Sequence, residues 1–414
     1  MRLTPTALGR LAGPAALSIL ALGPAPVASP PPAAALVLSG ATVYPSPQDP
    51  PLRDAVVVVQ GAKVAAVGPA AAVRLPAGAA VVDCAGQFVV AGFQNSHVHF
   101  TEARWDGAAK APAERLAAQL EAMLLRHGFT TVVDTASWLD NTLSLRARIE
   151  SGEVAGPRVL TAGGALYPEN GVPFYVREAV PPDVLALLHT PGRPADAAAV
   201  VERQLAAGAD VLKLFTGSWV ERGRVLPMPA PVARAAAEAA HRRGKLVFAH
   251  ASSVAGLEVA LEAGVDVLAH ALDDDRGWNE SHVARMKAGG MAMIPTLKLF
   301  GGQPYTRYIQ EEVATWARAG GVILFGTDVG YLADDDPAGE YALMSGAGLD
   351  AMAILASLTT APAARFGESE RRGRVAPGMD ADLVVLGSDP GAGPRAFSDV
   401  RVTIRRGRVV YRRP

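Results

Sequence analysis

Short apolar runs alternate with alanine-rich stretches through the middle of the sequence. The stretches 231–243 and 253–263 have helical spacing, and Gly244 and Gly264 follow them as stop signals. Continuous apolar runs are typical of parallel strands that are buried on both faces. Strand and helix therefore alternate, which predicts a right-handed α/β architecture. Four of the apolar runs carry a polar side chain at or near their end, namely 211–213, 246–250, 265–270 and 322–328.

The two ends of the chain show a different pattern. Residues 36–90 contain short Val-rich runs, with predicted turns at Gly40, Gly61 and Gly68. We expect the sheet that these runs form to be completed after Arg372. The arginine-rich segment 405–413 alternates partly like a strand, which predicts a charged, solvated sheet edge rather than a phosphate-binding patch. The pattern thus predicts a small β-domain built from both ends of the chain.

The first 35 residues have the layout of a secretory signal. Arg2 and Arg10 precede an apolar stretch, 11–27, that prolines interrupt, and small residues follow it. We predict export to the periplasm or the exterior; the alternative is a disordered Pro/Ala-rich tail on a cytoplasmic protein. The stretch is too short and too broken to predict a membrane span. Cys84 is the only cysteine, so no intrachain disulfide can indicate the compartment.

Composition agrees with one large globular protein. The chain has 414 residues, of which 50% are hydrophobic, and this is enough to bury a substantial core. A formal net charge of -1 gives no electrostatic reason to expect nucleic acid as a partner. The acidic triplets 273–275 and 334–336 follow two of the predicted strands. They could repel acidic substrates or hold an extra cation, but most runs of this kind are simply hydrated loops.

His97 and His99 carry the first candidate chemistry. An apolar run leads into this His-x-His pair, and alternate residues of a strand share a face, so both imidazoles can reach one metal ion. Chance occurrence is the alternative for this short motif. Lys213, His250, His270 and Asp328 lie at or near the ends of the other runs, and strand C-termini are where a (β/α)8 barrel keeps its catalytic groups. Taken singly, His250 and His270 could be core histidines that the backbone satisfies. We interpret the remaining histidines as structural, with His189 as the one that could border the site: His127, His189, His241 and His282.

This set of residues, in this order, resembles the amidohydrolase superfamily. The resemblance implies a (β/α)8 TIM barrel over residues 92–371, with His97 and His99 on the first strand, Lys213 on the fourth, His250 on the fifth, His270 on the sixth and Asp328 on the eighth. The segment 373–386 looks like the returning edge of the β-sandwich that accompanies such barrels. The implied sandwich consists of residues 36–91 and 372–414. The resemblance covers nearly the whole chain after the N-terminal tail.

Lys213 points to the imidazolonepropionase-like and prolidase-like branch of the superfamily, in which a carboxylated lysine bridges two metal ions. The resemblance then implies that His97, His99 and Asp328 hold one ion, and that His250 and His270 hold the other. Asp328 would take a proton from a metal-activated hydroxide and deliver it to the leaving nitrogen. Zinc is the default for such ligands, and manganese or cobalt could substitute. The alternative for Lys213 is a buried lysine paired with Asp210 or Asp328.

The substrate is predicted in less detail. Loop 163–194 is rich in Pro and Gly, and it could be a lid or a structural Ω-loop. Its Tyr167, Tyr175 and Arg177 are candidates for gripping an aromatic or carboxylate end of a small molecule.

Segments 95–102 and 357–367 add to a similarity with dipeptidases, carboxypeptidase-like enzymes and secreted ochratoxin-type amidohydrolases. This similarity implies hydrolysis of an N-acyl amino acid or dipeptide-like amide. The alternatives are ring opening of a cyclic amide, a more distant deaminase, and a scaffold protein on a hydrolase fold. A homo-oligomer is possible.

Overall fold

The computed structural model describes residues 35–414, so the signal peptide or tail predicted for residues 1–35 lies almost wholly outside the described residues. The strands are β1 Leu36–Val43, β2 Leu52–Gln60, β3 Lys63–Pro69, β4 Ala80–Asp83, β5 Phe88–Ala91, β6 Phe93–Val98, β7 Phe129–Asp134, β8 Arg158–Thr161, β9 Leu212–Phe215, β10 Gly217–Glu221, β11 Arg224–Pro227, β12 Val247–His250, β13 Val267–Ala269, β14 Ala292–Ile294, β15 Val322–Ile323, β16 Leu383–Leu386, β17 Val400–Arg405 and β18 Arg408–Arg412. The α-helices are α1 Ala113–Met123, α2 Leu139–Glu150, α3 Phe174–Ala179, α4 Pro182–Leu185, α5 Pro194–Ala207, α6 Ala230–Arg242, α7 Val254–Ala263, α8 Glu280–Ala288, α9 Thr306–Arg318, α10 Ala338–Gly346, α11 Ala351–Leu358 and α12 Thr360–Arg365. In this part of the chain, no helix has both the length and the apolar character that crossing a membrane requires.

Both ends of the described chain contribute to one eight-stranded sheet. Its order is β18-β17-β16-β5-β1-β2-β3, and β4 pairs with β1. Strand β16 pairs antiparallel with β5 on one side and with β17 on the other. A buried cluster of aliphatic side chains, which includes Val57, Val89 and Leu383, stabilises this sheet. One residue, Gly92, separates β5 from β6, the strand that carries His97.

The structure corrects three details predicted for this sheet. Gly40 lies within β1, where the register with β2 shifts, and Gly68 lies within β3. A glycine can mark a bulge as well as a turn, and the local pattern does not separate the two. The prediction that 373–386 forms a sheet edge was also wrong, because β16 lies inside the sheet and all four of its residues are buried. The charged edge predicted near the C-terminus is confirmed, since β18 ends the sheet.

The central part of the chain contains eight further strands that run parallel to their neighbours in two sheets. One sheet has the order β6-β7-β8, and the other has the order β15-β14-β13-β12-β9. Single parallel bridges join Val98 to Val329 and Leu166 to Leu214. Ladders of hydrogen bonds do not close the two sheets into one barrel. The described fold is therefore a mixed α/β fold with strand-rich ends, and the closed TIM barrel is not confirmed.

The helices between these strands follow the alanine-rich pattern of the sequence. Helix α6 buries a stripe of small side chains that includes Ala233, Ala236 and Ala240, as expected for an amphipathic helix packed on a core. Helix α7 begins after Ser253, whose Oγ accepts a hydrogen bond from the Gly256 backbone N–H. It ends at Gly264, whose φ of 72° places it in the left-handed region that glycine adopts without strain. Regular helices thus connect the strand ends that carry the candidate site.

Candidate metal centre and substrate cavity

His97 and His99 lie at the C-terminal end of β6 and its continuation. Both rings point to the same place, since the two Nε2 atoms are 3.2 Å apart. His99 Nδ1 lies 3.0 Å from the Ala136 carbonyl oxygen, and a carbonyl only accepts, so Nδ1 carries the proton. The lone pair of a neutral His99 is therefore on Nε2, the atom that faces His97. Two ring nitrogens that converge in this way suit a bound cation.

The segment after β15 brings Asp328 to the same point. Asp328 Oδ1 lies 3.2 Å from His97 Nε2 and 2.9 Å from His99 Nε2. Asn95 holds the segment against β6, because its amide donates to Thr327 Oγ1 at 2.8 Å and its oxygen accepts from the Thr327 N–H at 3.2 Å. Gly326 allows this approach: a Cβ at this position would lie 2.8 Å from the Cβ of His97. Asp328 itself has a φ of 58°, which an aspartate tolerates better than most residues.

His250 and His270 end or follow β12 and β13, respectively. Their ring centroids are 4.9 Å apart, and the His270 ring lies 4.5 Å from that of His97. One ligand atom from each of His97, His270 and Asp328 lies within 4.8 Å of the others. The φ of His270 is 86°, which is rare for a residue with a side chain and turns the ring toward the group. The sequence-predicted histidines of the site are thus brought together.

Thr296 fixes the orientation and the tautomer of His270. The Thr296 hydroxyl donates to the Pro295 carbonyl at 2.9 Å and lies 2.5 Å from His270 Nδ1, so it accepts the Nδ1 proton. His270 Nε2 is left with its lone pair. A partner of this kind raises the basicity of a metal-binding imidazole and holds its ring in place.

We expect Thr296→Val to lower the affinity for a divalent metal by about 10–100-fold, because it removes this hydrogen bond and keeps the side-chain shape. Competition with a chelator measures the affinity. Thr315→Val, at a half-buried position of helix α9 outside the cavity wall, is the matched control and should bind metal like the unmodified protein. Equal affinity in both variants would contradict the role given to Thr296.

Lys213 lies on β9 with its side chain in the same cavity. It is 1% exposed, and burial lowers the pKa of its ammonium from 10.5 to about 7, although the charge of Asp328 opposes this change. Asp210 does not pair with it, because that carboxylate binds Arg146 at 2.6 Å and the Thr161 N–H at 3.0 Å. The alternative of a Lys213–Asp210 pair was therefore wrong. A lysine that loses its proton near neutral pH is available for carboxylation by carbon dioxide.

The donor set fits a divalent metal ion. Within residues 35–414, Asp328 Oδ1 is buried without a hydrogen-bond partner, which is costly unless another group satisfies it. Burial and the Lys213 charge lower the pKa of His97 to about 3, so its imidazole is neutral. Burial raises the pKa of Asp328, but the neighbouring imidazoles outweigh it and hold this pKa well below the ordinary value. Neutral imidazoles and an ionised carboxylate are the ligands that zinc and similar ions prefer.

All six candidate ligands line a cavity of about 510 Å³. Its wall includes both aromatic and aliphatic side chains. Tyr167 and Tyr175, which the sequence predicted as substrate contacts, also line it, and Tyr175 packs edge-on against Tyr331 with ring centroids 5.8 Å apart. Arg177 does not line the cavity. Its guanidinium donates to the carbonyl oxygens of Val172 at 3.1 Å and Val220 at 2.7 Å, so the geometry gives no support to its predicted grip on a carboxylate.

The structure adds residues that the sequence did not indicate. The cavity wall includes Trp138, Phe215, Trp219, Asp273, Tyr305 and Tyr331. The position of Tyr331, three residues after the candidate ligand Asp328, could have indicated that it lies near the site. Trp219 lies on the hairpin of β10 and β11, whose Gly223 turn could have been recognised from the sequence. Asp273 belongs to the first acidic triplet, and the structure places it in the cavity wall.

The other histidines lie outside the cavity wall. His282 forms a capping box with Asn279 at the start of α8, and His241 pairs with Asp266 at 2.8 Å. His189 accepts the Tyr167 N–H through its backbone oxygen, on the segment next to the site. These contacts agree with the structural interpretation of His241 and His282. The second acidic triplet is partly paired, since Asp334 binds Lys298 at 2.9 Å and Asp335 binds Arg104 at 3.1 Å.

The amidohydrolase family model matches residues 88–410. The chain belongs to the amidohydrolase family. This confirms the superfamily predicted from the ligand pattern. An uncharacterized Mycobacterium bovis protein, Mb2939c, is 29% identical to this family member over 236 residues, which cover 51% of this chain and 60% of the relative. The match thus spans less than two thirds of that relative's length.

Several solved structures resemble this family member along nearly its whole length. A prolidase complexed with N-methylphosphonate-L-proline is 26% identical, with a TM-score of 0.75 over 92% of this chain and 100% of the other. A Xaa-Pro dipeptidase with methionine in its active site is 21% identical (TM-score 0.78; 92% and 100% covered). Aspergillus niger ochratoxinase is also 21% identical (TM-score 0.76; 92% and 96% covered). The prolidase-like resemblance is confirmed, and together with the family it supports a metal-dependent hydrolase of carbon–nitrogen bonds. The two structures that are 21% identical show that the fold is shared.

Proposed function

We propose that this protein is a metal-dependent amidohydrolase that cleaves the exocyclic amide of an N-acyl amino acid or dipeptide-like substrate. The observation that carries the proposal is the convergence of His97 Nε2, His99 Nε2 and Asp328 Oδ1 within 3.2 Å of one another at an aromatic cavity. The hydrolases among its structural neighbours support the reaction class. The cavity is large enough for a small-molecule amide.

We further propose that two divalent ions, by default zinc, occupy the site. His97, His99 and Asp328 would hold one ion, His250 and His270 the other, and a carboxylated Lys213 would bridge them. When bound, such ions activate water as a nucleophile at neutral pH and polarise the amide carbonyl. The lowered pKa of Lys213 and its burial among the other candidate ligands support this assignment.

Asp328 is the proposed catalytic base and acid. Its pKa, held well below the ordinary value, keeps Oδ1 deprotonated at neutral pH. Oδ1 accepts a proton from the attacking water and later delivers that proton to the leaving nitrogen. Asn95 and Thr327 hold the segment that carries it, and the aromatic walls exclude water from the reacting amide.

The proposed barrel joins the two parallel sheets, which the hydrogen-bonded ladders leave separate. We propose that the two parallel sheets are arcs of one (β/α)8 barrel over residues 92–371, and the bridges Val98–Val329 and Leu166–Leu214 support this closure. Residues 36–91 and 372–414 would be the accompanying β-domain. Export remains a prediction from residues 1–35.

Mass spectrometry of the metal-replete protein with a mixed library tests the function. The library holds N-acyl amino acids, dipeptides, cyclic amides and aminated heterocycles. We expect cleavage of exocyclic amides, with release of a free amino acid. A gain of one water without fragmentation would instead indicate ring opening, and loss of ammonia would indicate a deaminase. No turnover of any compound would favour a scaffold role.

A further inference from the structure

Asp273 is an acidic side chain in the wall of the substrate cavity that the proposed reaction does not use. It lies three residues after His270, in the segment that follows β13, and it lines the cavity. Its Oδ2 accepts a hydrogen bond from Trp219 Nε1 at 2.5 Å. Unlike its neighbour Asp274, which pairs with Arg276 at 2.6 Å, Asp273 forms no ion pair with any residue between 35 and 414. Its orientation is therefore fixed while its charge remains uncompensated.

The surroundings of Asp273 are aromatic. Tyr175, Trp219 and Tyr305 line the same cavity as Asp273, and the indole of Trp219 is in direct contact with its carboxylate. Rings around a carboxylate form a site for an organic cation, because the ring faces attract positive charge and the carboxylate pairs with it. Such a setting is unfavourable for a second carboxylate.

The cavity wall also lacks the basic group that would bind an acidic substrate. Among the described residues, Lys213 is the only lysine or arginine in the wall, and it lies with the candidate metal ligands. Two carbonyl oxygens hold the guanidinium of Arg177 outside. Burial raises the pKa of Asp273 to about 7, and the Trp219 hydrogen bond opposes this, so the carboxylate is ionised at mildly alkaline pH.

Asp273 and Asp328 lie within reach of one extended small molecule. Both carboxylates line the same cavity of about 510 Å³, which is the size of a small-molecule site. Tyr331, which follows Asp328 in the chain, packs against Tyr175. A substrate whose amide carbon is attacked beside Asp328 can therefore rest on these two rings and extend toward Asp273.

We infer that Asp273 determines specificity by binding the free amino group of an aromatic aminoacyl amide. This inference rests on the proposed function for the reaction and names the end of the substrate that the cavity recognises. Of the two proposed substrate classes, it selects dipeptide-like compounds with a free amino group over simple N-acyl amino acids, whose acyl part carries no amino group and whose only charge is the negative carboxylate.

Calorimetric binding of two matched ligands tests the inference without catalysis. At pH 8, 2-phenylethylamine is a cation and 2-phenylethanol is its neutral counterpart. We expect the metal-replete protein to bind the amine at least about tenfold more tightly, which corresponds to about 1.4 kcal/mol. Asp273→Asn should reduce this ratio to about twofold or less, because it removes the charge and keeps the shape. Asp274→Asn is the matched control and should retain the full ratio.

Two results would overturn the inference: equal binding of both ligands by the unmodified protein, or a ratio that Asp273→Asn leaves intact. Circular dichroism of the two variants verifies that both are folded. Each variant is judged by the ratio of its affinities for the two ligands. A general loss of affinity leaves this ratio unchanged and cannot be mistaken for the expected result.

Hydrolysis of L-phenylalanine 4-nitroanilide and of 3-phenylpropionic acid 4-nitroanilide provides a second measurement. Both release coloured 4-nitroaniline, and they differ only in the amino group. We expect a kcat/KM ratio of at least about ten in favour of the phenylalanine compound, and a loss of that ratio in Asp273→Asn. If neither compound is cleaved while the binding ratio depends on Asp273, the exocyclic amidase proposal fails for this substrate class and the recognition by Asp273 stands.

Discussion

Lys213→Ala is expected to lose both bound metal and hydrolysis. Under the two-metal proposal, the side chain bridges the ions, and its removal should reduce the metal content from about two ions to one or none per chain and lower kcat/KM about 10³-fold or more. Inductively coupled plasma mass spectrometry measures the metal content, and steady-state kinetics measure kcat/KM. The loss follows from the position of Lys213 on β9, where it is buried in the same cavity as the four histidines.

Lys110→Ala is the matched control, because Lys110 is exposed in the loop before α1. Carbon-13 NMR in enriched bicarbonate adds a measurement that a structural role would not affect: a carbamate signal in the unmodified protein and in Lys110→Ala, absent in Lys213→Ala. Unchanged metal content and hydrolysis in Lys213→Ala would show that Lys213 is not the bridge.

Asp328→Asn should lower kcat by about 10²–10⁴-fold, the range typical of a lost general base. Asparagine keeps the shape of the side chain and one oxygen, but it cannot accept the proton of the attacking water. Because the retained oxygen can still bind an ion, we expect most of the metal to remain bound, in contrast to Lys213→Ala. Parallel measurements of kcat and metal content separate the two roles.

The control for this prediction is Asp334→Asn, which alters an exposed aspartate that pairs with Lys298 further along the same segment. It should retain activity within about threefold. If Asp328→Asn kept the rate of the unmodified protein, another group would have to move the proton, and the role given to Asp328 would be wrong.

The central strands and helices were predictable because their local pattern and their tertiary role agree. The run 246–250 and the stretch 253–263 correspond closely to β12 and α7. Strand β15 was harder to predict. The apolar run indicated a strand over 322–328, but only Val322–Ile323 pair with a neighbouring strand. The chain then leaves the sheet to bring Asp328 against β6, and hydrophobic periodicity carries no signal for that departure.

The ligand types were predictable from the sequence, whereas the cavity was not. Histidine, lysine and aspartate at strand ends are recognisable one by one. The aromatic wall instead combines side chains from separate loops, such as Trp219, Tyr305 and Tyr331, and only the tertiary structure shows that they meet. Arg177 illustrates the opposite case. Its residue type suggested a substrate contact, but nearby carbonyl oxygens satisfy its donors.

The pairing of β16 with β5 has a consequence for how the protein is made. Leu383 pairs with Ala91, so the strand that immediately precedes the His97 segment obtains its neighbour almost three hundred residues later in translation. Contacts this distant in sequence form late. On the ribosome, the nascent chain holds an unpaired edge of β5 until β16 emerges, and that edge is exposed to other strands. Proteins that bind nascent chains would therefore find a target here in the interval before β16 emerges.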